Sequence, residues 1–139
     1  MNRQSKGISL KKINVTDRFL KREMELARTE VIPYQWEALN DNVEGAEPSF
    51  CMRNFKLAAK LGEKRRALGQ ESLPVWTTKE FNLVPEKGKP MEDRFYGFVF
   101  QDTDFSKWIE AVGYSLAAHP DPELEKLADH AIDIVCAAQ

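Results

Sequence analysis

Apolar residues along this chain recur mostly at helical spacing. Phe19, Leu20, Met24, Ala27 and Val31 make one apolar face, while Lys21, Arg22, Glu25 and Arg28 leave the other faces charged. Thr16 or Asp17 stands where this helix must begin, and a short oxygen-bearing side chain there accepts from the free N–H groups of the first turn. Pro33 lacks an N–H and disfavours helix at Ile32, so a kink or break is expected there. A short restart over "PYQWEALN" would place Pro33 at the first helical position. "NDNVEGAEPSF", residues 40–50, reads as a loop. "CMRNFKLAAKLGEKRRAL" reads as a helix with Met52, Phe55, Ala59 and Leu61 facing inward and Gly62 as its stop. Residues 69–94 carry Gly69, Pro74, Pro85, Gly88 and Pro90 and predict no regular element.

The pattern is clearest in the last third. Phe105, Trp108, Ile109, Val112 and Leu116 follow one face of an amphipathic helix that ends near His119, before Pro120. "HPDPELEKL" is a tight reversal, with Asp121 as N-cap, Pro122 at the first helical position, and Glu123 and Glu125 at the positive helix end. Leu124, Leu127, Ala131, Ile134, Val135 and Ala138 form the next apolar stripe. Two helices joined by a few residues make an antiparallel αα-hairpin. The expected layout is all-α: an arm over 1–15 with a short extended piece in "ISLKKINV", helices over 16–62, a loop or insertion over 63–101, and the hairpin over 102–139. No glycine or basic turn closes the stripe at "DIVCAAQ", which suggests a chain cut from a longer one or a helix completed by a partner.

Composition narrows the function classes. The chain has 139 residues, with Lys+Arg 20 against Asp+Glu 22 and a net charge of −2, so nothing draws it globally to nucleic acid or an anionic membrane. The basic run "EKRRALG" lacks interleaved aromatics and reads as a solvated face. No apolar run approaches the ~20 residues of a membrane span, and no apolar segment follows the basic "MNRQSKGISLKK" as a secretory signal requires. Two cysteines, neither in a CxxC pair, make no disulfide scaffold, and Cys136, on an apolar stripe, reads as a small buried hydrophobe. The expected setting is the reducing cytoplasm.

Three blocks carry a likeness beyond pattern: "VTDRFLKREMELARTEVIPYQWEALND", "MRNFKLAAKLG" and "GFVFQDTDFSKWIEAVGYSLAAHPDPELEKLADHAIDIVCAAQ". In this order they resemble the start of the β-L-arabinofuranosidases of glycoside hydrolase family 127, and the third block is the most specific. The resemblance implies an incomplete N-terminal part of an (α/α)6 toroid, a ring of helical hairpins around a sugar pocket. It implies carbohydrate metabolism, hydrolysis of terminal β-L-arabinofuranosyl residues, and an arabinose-containing saccharide as partner of the full-length protein. It also implies a zinc ion held by cysteines and a glutamate, with a cysteine nucleophile, far downstream of the matching region. Neither Cys51 nor Cys136 falls in that motif, so no catalytic residue, metal ligand or cofactor is assigned within these 139 residues. Residues 63–94 are longer than the linker expected between "NFKLAA" and "FQD", an insertion suited to covering the ring mouth or an interface.

The candidate chemistry is therefore binding. Asp102 and Asp104 sit two apart at a helix start, where capping, sugar-hydroxyl binding or both are open to them; residues i and i+2 do not share a helical face, which weakens a catalytic pairing. Gln35, in "IPYQWEAL", is either a satisfied interior amide or a hydroxyl ligand. Tyr96 or Phe98 is either a stacking platform or a hydrophobic plug. His119 and His130 read as structural or solvated. Ile132, Val135 and Cys136, partly off the last stripe, are the expected open edge for self-association or a partner segment. A free-standing helical interaction module without enzymatic activity is the other functional reading.

Overall fold

The computed structural model describes residues 6–69 and 82–139. After a single 3-10 turn, Leu10–Lys12, come helices α1 (Arg18–Leu26), α2 (Ile32–Leu39), α3 (Cys51–Ala67), α4 (Asp102–Ala118) and α5 (Pro122–Ala137). Between α3 and α4 a two-residue antiparallel ladder joins β1 (Asn82–Leu83) to β2 (Gly97–Phe98), with Asn82 opposite Phe98 and Leu83 opposite Gly97. The helical architecture expected from the pattern holds. The expected irregular stretch lies partly at 70–81, outside the described residues, as do residues 1–5 of the arm.

Asp17 caps α1, accepting from the Leu20 N–H at 2.9 Å. The apolar face expected on α1 is present but unburied. Phe19, Leu20, Met24 and Val31 are exposed and Ala27 half-buried, since no described element lays an apolar face over them. The break expected at Pro33 is replaced by a widened turn. Ala27–Val31 is π-helical, and the Ile32 N–H reaches back five residues to the Ala27 carbonyl. The wider turn lets the chain pass through a proline that can make no such bond. The stop expected at Gly62 is also absent. Glycine costs a helix only about 1 kcal/mol, and α3 continues to Ala67, where Lys64, Arg65 and Arg66 suit its negative end.

The core joins four helices. Ile32 and Leu39 of α2, Cys51 and Met52 of α3, Phe105, Trp108 and Val112 of α4, and Leu124, Ala128 and Ala131 of α5 form one buried cluster. The expected α4 stripe faces it, with Ile109 and Leu116 at its margin. On α5 the small Ala128 and Ala131 are buried and let α5 pack closely, with Leu127, Ile134 and Val135 around them. Asp121 caps α5 as expected, accepting from the Glu123 and Leu124 N–H groups at 3.1 and 3.2 Å. Its other carboxylate oxygen lies 3.5 Å from Arg28, tying the hairpin turn to the end of α1.

Trp108 is 2% exposed. Its indole N–H donates to the Ile32 carbonyl at 3.0 Å, and its ring packs on Trp36 with centroids 4.8 Å apart. Trp108→Ala should therefore cost about 3–5 kcal/mol, the usual range for truncating a buried aromatic. Urea unfolding measures it, and a loss under about 1 kcal/mol would show that Trp108 does not organise the core.

Candidate functional site

The residues that carry candidate chemistry converge on the start of α4. Just before it, the chain is held to α3 by side chains that stand in for a neighbouring strand. Arg53 donates to the Arg94 carbonyl at 2.9 Å and to the Glu92 carbonyl at 2.8 Å. Asn54 donates to the Tyr96 carbonyl at 2.7 Å and accepts from the Tyr96 N–H at 3.3 Å. The Arg53 guanidinium also lies 4.9 Å from the centre of the Tyr96 ring. Lys60 pairs with Asp93 at 2.8 Å, and these contacts hold the Asp93 carboxyl below its usual range, the Lys60 hydrogen bond first among them.

From this anchored segment the chain turns sharply. Gly97 adopts φ +92°, a region L side chains rarely enter, and a Cβ there would run into the Gln101 side chain and sit 3.0 Å from the Ser49 carbonyl. The Gln101 side-chain oxygen accepts from the Phe98 N–H, and its amide nitrogen donates to Ser49 Oγ at 3.4 Å. The Gln101 N–H closes the turn onto the Phe98 carbonyl at 3.1 Å. Opposite stands Phe50, at φ +59°, its N–H donating to Asp41 Oδ1 at 2.9 Å and its ring 5.7 Å from Tyr96.

The sequence candidates divide on this frame. Tyr96 is buried between Phe50 and Arg53 and is the plug; Phe98 is exposed and free to offer its face. Asp102 and Asp104 lie exposed in the first turn of α4, but neither is its cap. The residue before the helix is Gln101, already helical and without a capping bond, and Thr103 Oγ1 donates to the Phe100 carbonyl. The carboxylates instead sit where the helix dipole favours negative charge, and Asp104 pairs with Lys107 at 3.0 Å. Gln35 is exposed on α2, so it is not an interior amide; no hydrogen bond joins it to Asp102 or Asp104 among the described residues. His119 follows α4 and His130 lies on α5, both exposed.

The two cysteines also separate. Cys51 is 1% exposed, and burial pushes its thiol up to about 11, against a weaker opposing bond to the Phe105 backbone. Cys136, expected to be buried, is exposed, because the stripe that packs on α4 turns it outward. Among the described residues no group of three or more His, Cys, Asp or Glu side chains is placed to hold a metal ion, so these residues do not fit the zinc the resemblance implies. Gln101, Arg53 and Asn54 were not singled out by sequence reasoning. Their only signal was an amide four residues after a glycine and a polar pair on an otherwise mixed helix.

Burial disfavours the thiolate, so the Cys51 thiol does not suit a nucleophile's role as it stands. A disulfide-exchange reagent should therefore titrate Cys136 rapidly in the native chain and Cys51 only on unfolding. Two equally fast thiols would contradict the buried assignment.

Comparison with known proteins identifies the family of these helices. The family model described as "Beta-L-arabinofuranosidase, GH127 catalytic domain" matches residues 12–139. The chain is 36% identical over 127 residues to a non-reducing end β-L-arabinofuranosidase of Bifidobacterium longum subsp. longum, covering 91% of this chain and 17% of that enzyme. It also matches the crystal structure of a β-L-arabinofuranosidase of the same family from Geobacillus stearothermophilus T6, with a TM-score of 0.65 and 44% identity over 91% of this chain and 15% of that one. The chain thus spans about a sixth of the relatives it matches. Within that span, its helices and its sequence place it in glycoside hydrolase family 127.

Proposed function

We propose that this chain forms the N-terminal helices of a hydrolase of terminal β-L-arabinofuranosyl residues and has no hydrolytic activity by itself. The observation that carries the reading is the family match over residues 12–139, set against the small share of each relative that the chain spans. That match favours the hydrolase over a free-standing interaction module. The chain's own chemistry agrees. Hydrolysis of a glycoside needs a positioned pair of carboxyl groups or an activated nucleophile. Asp102 and Asp104 do not share a face, Asp104 is engaged by Lys107, and Cys51 is held as a neutral thiol. Gln35 and Asp102, exposed and without a side-chain partner among the described residues, are suited to sugar hydroxyls, with Asp104 a weaker candidate. The zinc implied by the resemblance, with its cysteine and glutamate ligands, would be supplied by other parts of the protein. No helix among the described residues is long and apolar enough to cross a membrane, and two unpaired cysteines suit a reducing, cytoplasmic setting.

The exposed apolar faces call for a covering segment. On α5, Ile132 and Cys136 are exposed and Val135 half-buried, which supports the open edge expected there. Ile8, Leu10 and Ile13 of the arm, Phe19 and Leu20 of α1 and Tyr34 of α2 are exposed as well. Contiguous apolar patches beyond a few hundred Å² are uncommon on stable monomers. The chain alone should therefore self-associate, its sedimentation coefficient rising with concentration. A strictly monomeric species at high concentration, with strong amide protection through α1, would overturn this.

The activity is tested in two arms. The pure chain should leave an aryl β-L-arabinofuranoside intact. Exchanged for the aligned 127-residue segment of the Bifidobacterium enzyme, it should support hydrolysis. Turnover by the pure chain, lost in Cys51→Ser or Cys136→Ser, would overturn the first arm. A folded but inert exchange protein would overturn the second.

A further inference from the structure

Two helices of this chain carry exposed faces of opposite charge laid out on similar spacing. On α1, Arg18, Arg22 and Leu26 fall at i, i+4 and i+8, and Phe19 lies three residues before Arg22, so the four share one side of the helix. All are exposed, Phe19 at 68% and Leu26 at 46%. On α5, Glu125, Asp129, Ile132 and Cys136 fall at i, i+4, i+7 and i+11, and all four are exposed too. The ion pairs on these helices join Arg28 to Glu25 and Asp121, and Lys126 to Glu123. Among the described residues Arg18, Arg22, Glu125 and Asp129 have no ion-pair partner. In each helix two like charges one turn apart precede an apolar residue. Leu26 stands about 12 Å along the axis from Arg18, and Ile132 about 10 Å from Glu125, at 1.5 Å per residue.

We propose that α5 of one copy docks in parallel along α1 of a second copy, with Glu125 and Asp129 against Arg18 and Arg22, and Ile132 and Cys136 against Leu26 and Phe19. Parallel alignment sets each charge opposite its complement and the apolar residues together. The antiparallel alternative sets Glu125 against Leu26 and Arg18 against Ile132, which desolvates both charges without pairing them. A second copy is the occupant that the charges select. An anionic surface would attract the α1 face and repel the α5 face, whereas another copy of this chain covers both. The two faces differ, so each copy that joins leaves one of each kind free, and growth continues past a dimer unless it closes into a ring. The nine residues of α1 are about 13 Å of helix, a small contact beside the roughly 1,000 Å² of a stable interface. The association is therefore weak, concentration-dependent and reduced by salt. This pairing goes beyond the hydrolase reading and names the faces that carry the self-association expected above.

The test is a charge swap in the 139-residue chain, read by sedimentation over a range of concentrations. Arg18→Glu with Arg22→Glu should weaken association about tenfold or more, and so should Glu125→Lys with Asp129→Lys, since each sets like charges opposite one another. An equal mixture of the two reversed proteins should restore association, because each then meets a complementary face. Arg18→Gln with Arg22→Gln, which keeps good helix formers at both positions, should weaken association by a smaller factor. Circular dichroism checks that each variant is folded, and these exposed positions remove no core packing. Association that survives both reversals, or that the mixture fails to restore, overturns the pairing while leaving self-association through other apolar residues. A wild-type chain that stays monomeric at high concentration overturns both. Neither outcome touches the hydrolase reading, which the exchange protein tests separately.

Discussion

The bond from the Trp108 indole N–H to the Ile32 carbonyl is the constraint around which the helices arrange themselves. A buried N–H without an acceptor costs several times what a made bond contributes, so an indole this deep must find a partner. The partner it finds lies 76 residues earlier in the chain. Once Trp108 is committed to Ile32, α2 must lie against α4, and Trp36, one turn further along α2, falls onto the indole face. Phe105 then stacks beside Trp108 and meets Phe55 edge to face, which brings α3 in. The π-helical turn ahead of Ile32 belongs to the same arrangement. It carries the chain through Pro33 without a break and so sets which carbonyl α2 offers.

The hairpin of α4 and α5 was legible because every local signal agreed: apolar period, Asp121 cap, Pro122 at the first helical position, acidic first turn. Where signals conflicted, tertiary context decided. Gly62 and Pro33 are both breakers on paper, yet α3 and the α1–α2 path run through them. A helix long enough to bury Met52 and Leu57 absorbs one glycine, and a widened turn absorbs one proline. The α1 face is apolar as its periodicity says, and among the described residues it stays largely exposed. Periodicity reports that a face will be covered, and says nothing about which part of the protein covers it.

The candidate site was less legible for a related reason. Asp102 and Asp104 announced themselves by type and position, yet the work of shaping the turn falls to Gln101, Asn54 and Arg53, amides and a guanidinium bonded to distant backbone. Such bonds depend on residues some 40 to 50 positions apart in sequence, and no local pattern encodes them. Tyr96 and Phe98 illustrate the limit. They sit two residues apart, a spacing that puts both on one face of a regular strand, yet Gly97 at φ +92° turns the chain between them, and the packed neighbours Phe50 and Arg53 bury Tyr96 while Phe98 stays exposed.

Strain marks the same place. Phe50 holds a left-handed backbone that costs a bulky residue about 1–3 kcal/mol, and Gly97 takes a positive φ that only glycine adopts freely. The two meet through Ser49, whose carbonyl crowds Gly97 and whose hydroxyl accepts from Gln101. Strain of this kind persists only where the surroundings over-determine it, and here they do: Asp41 fixes Phe50 from one side, Asn54 and Gln101 fix the turn from the other.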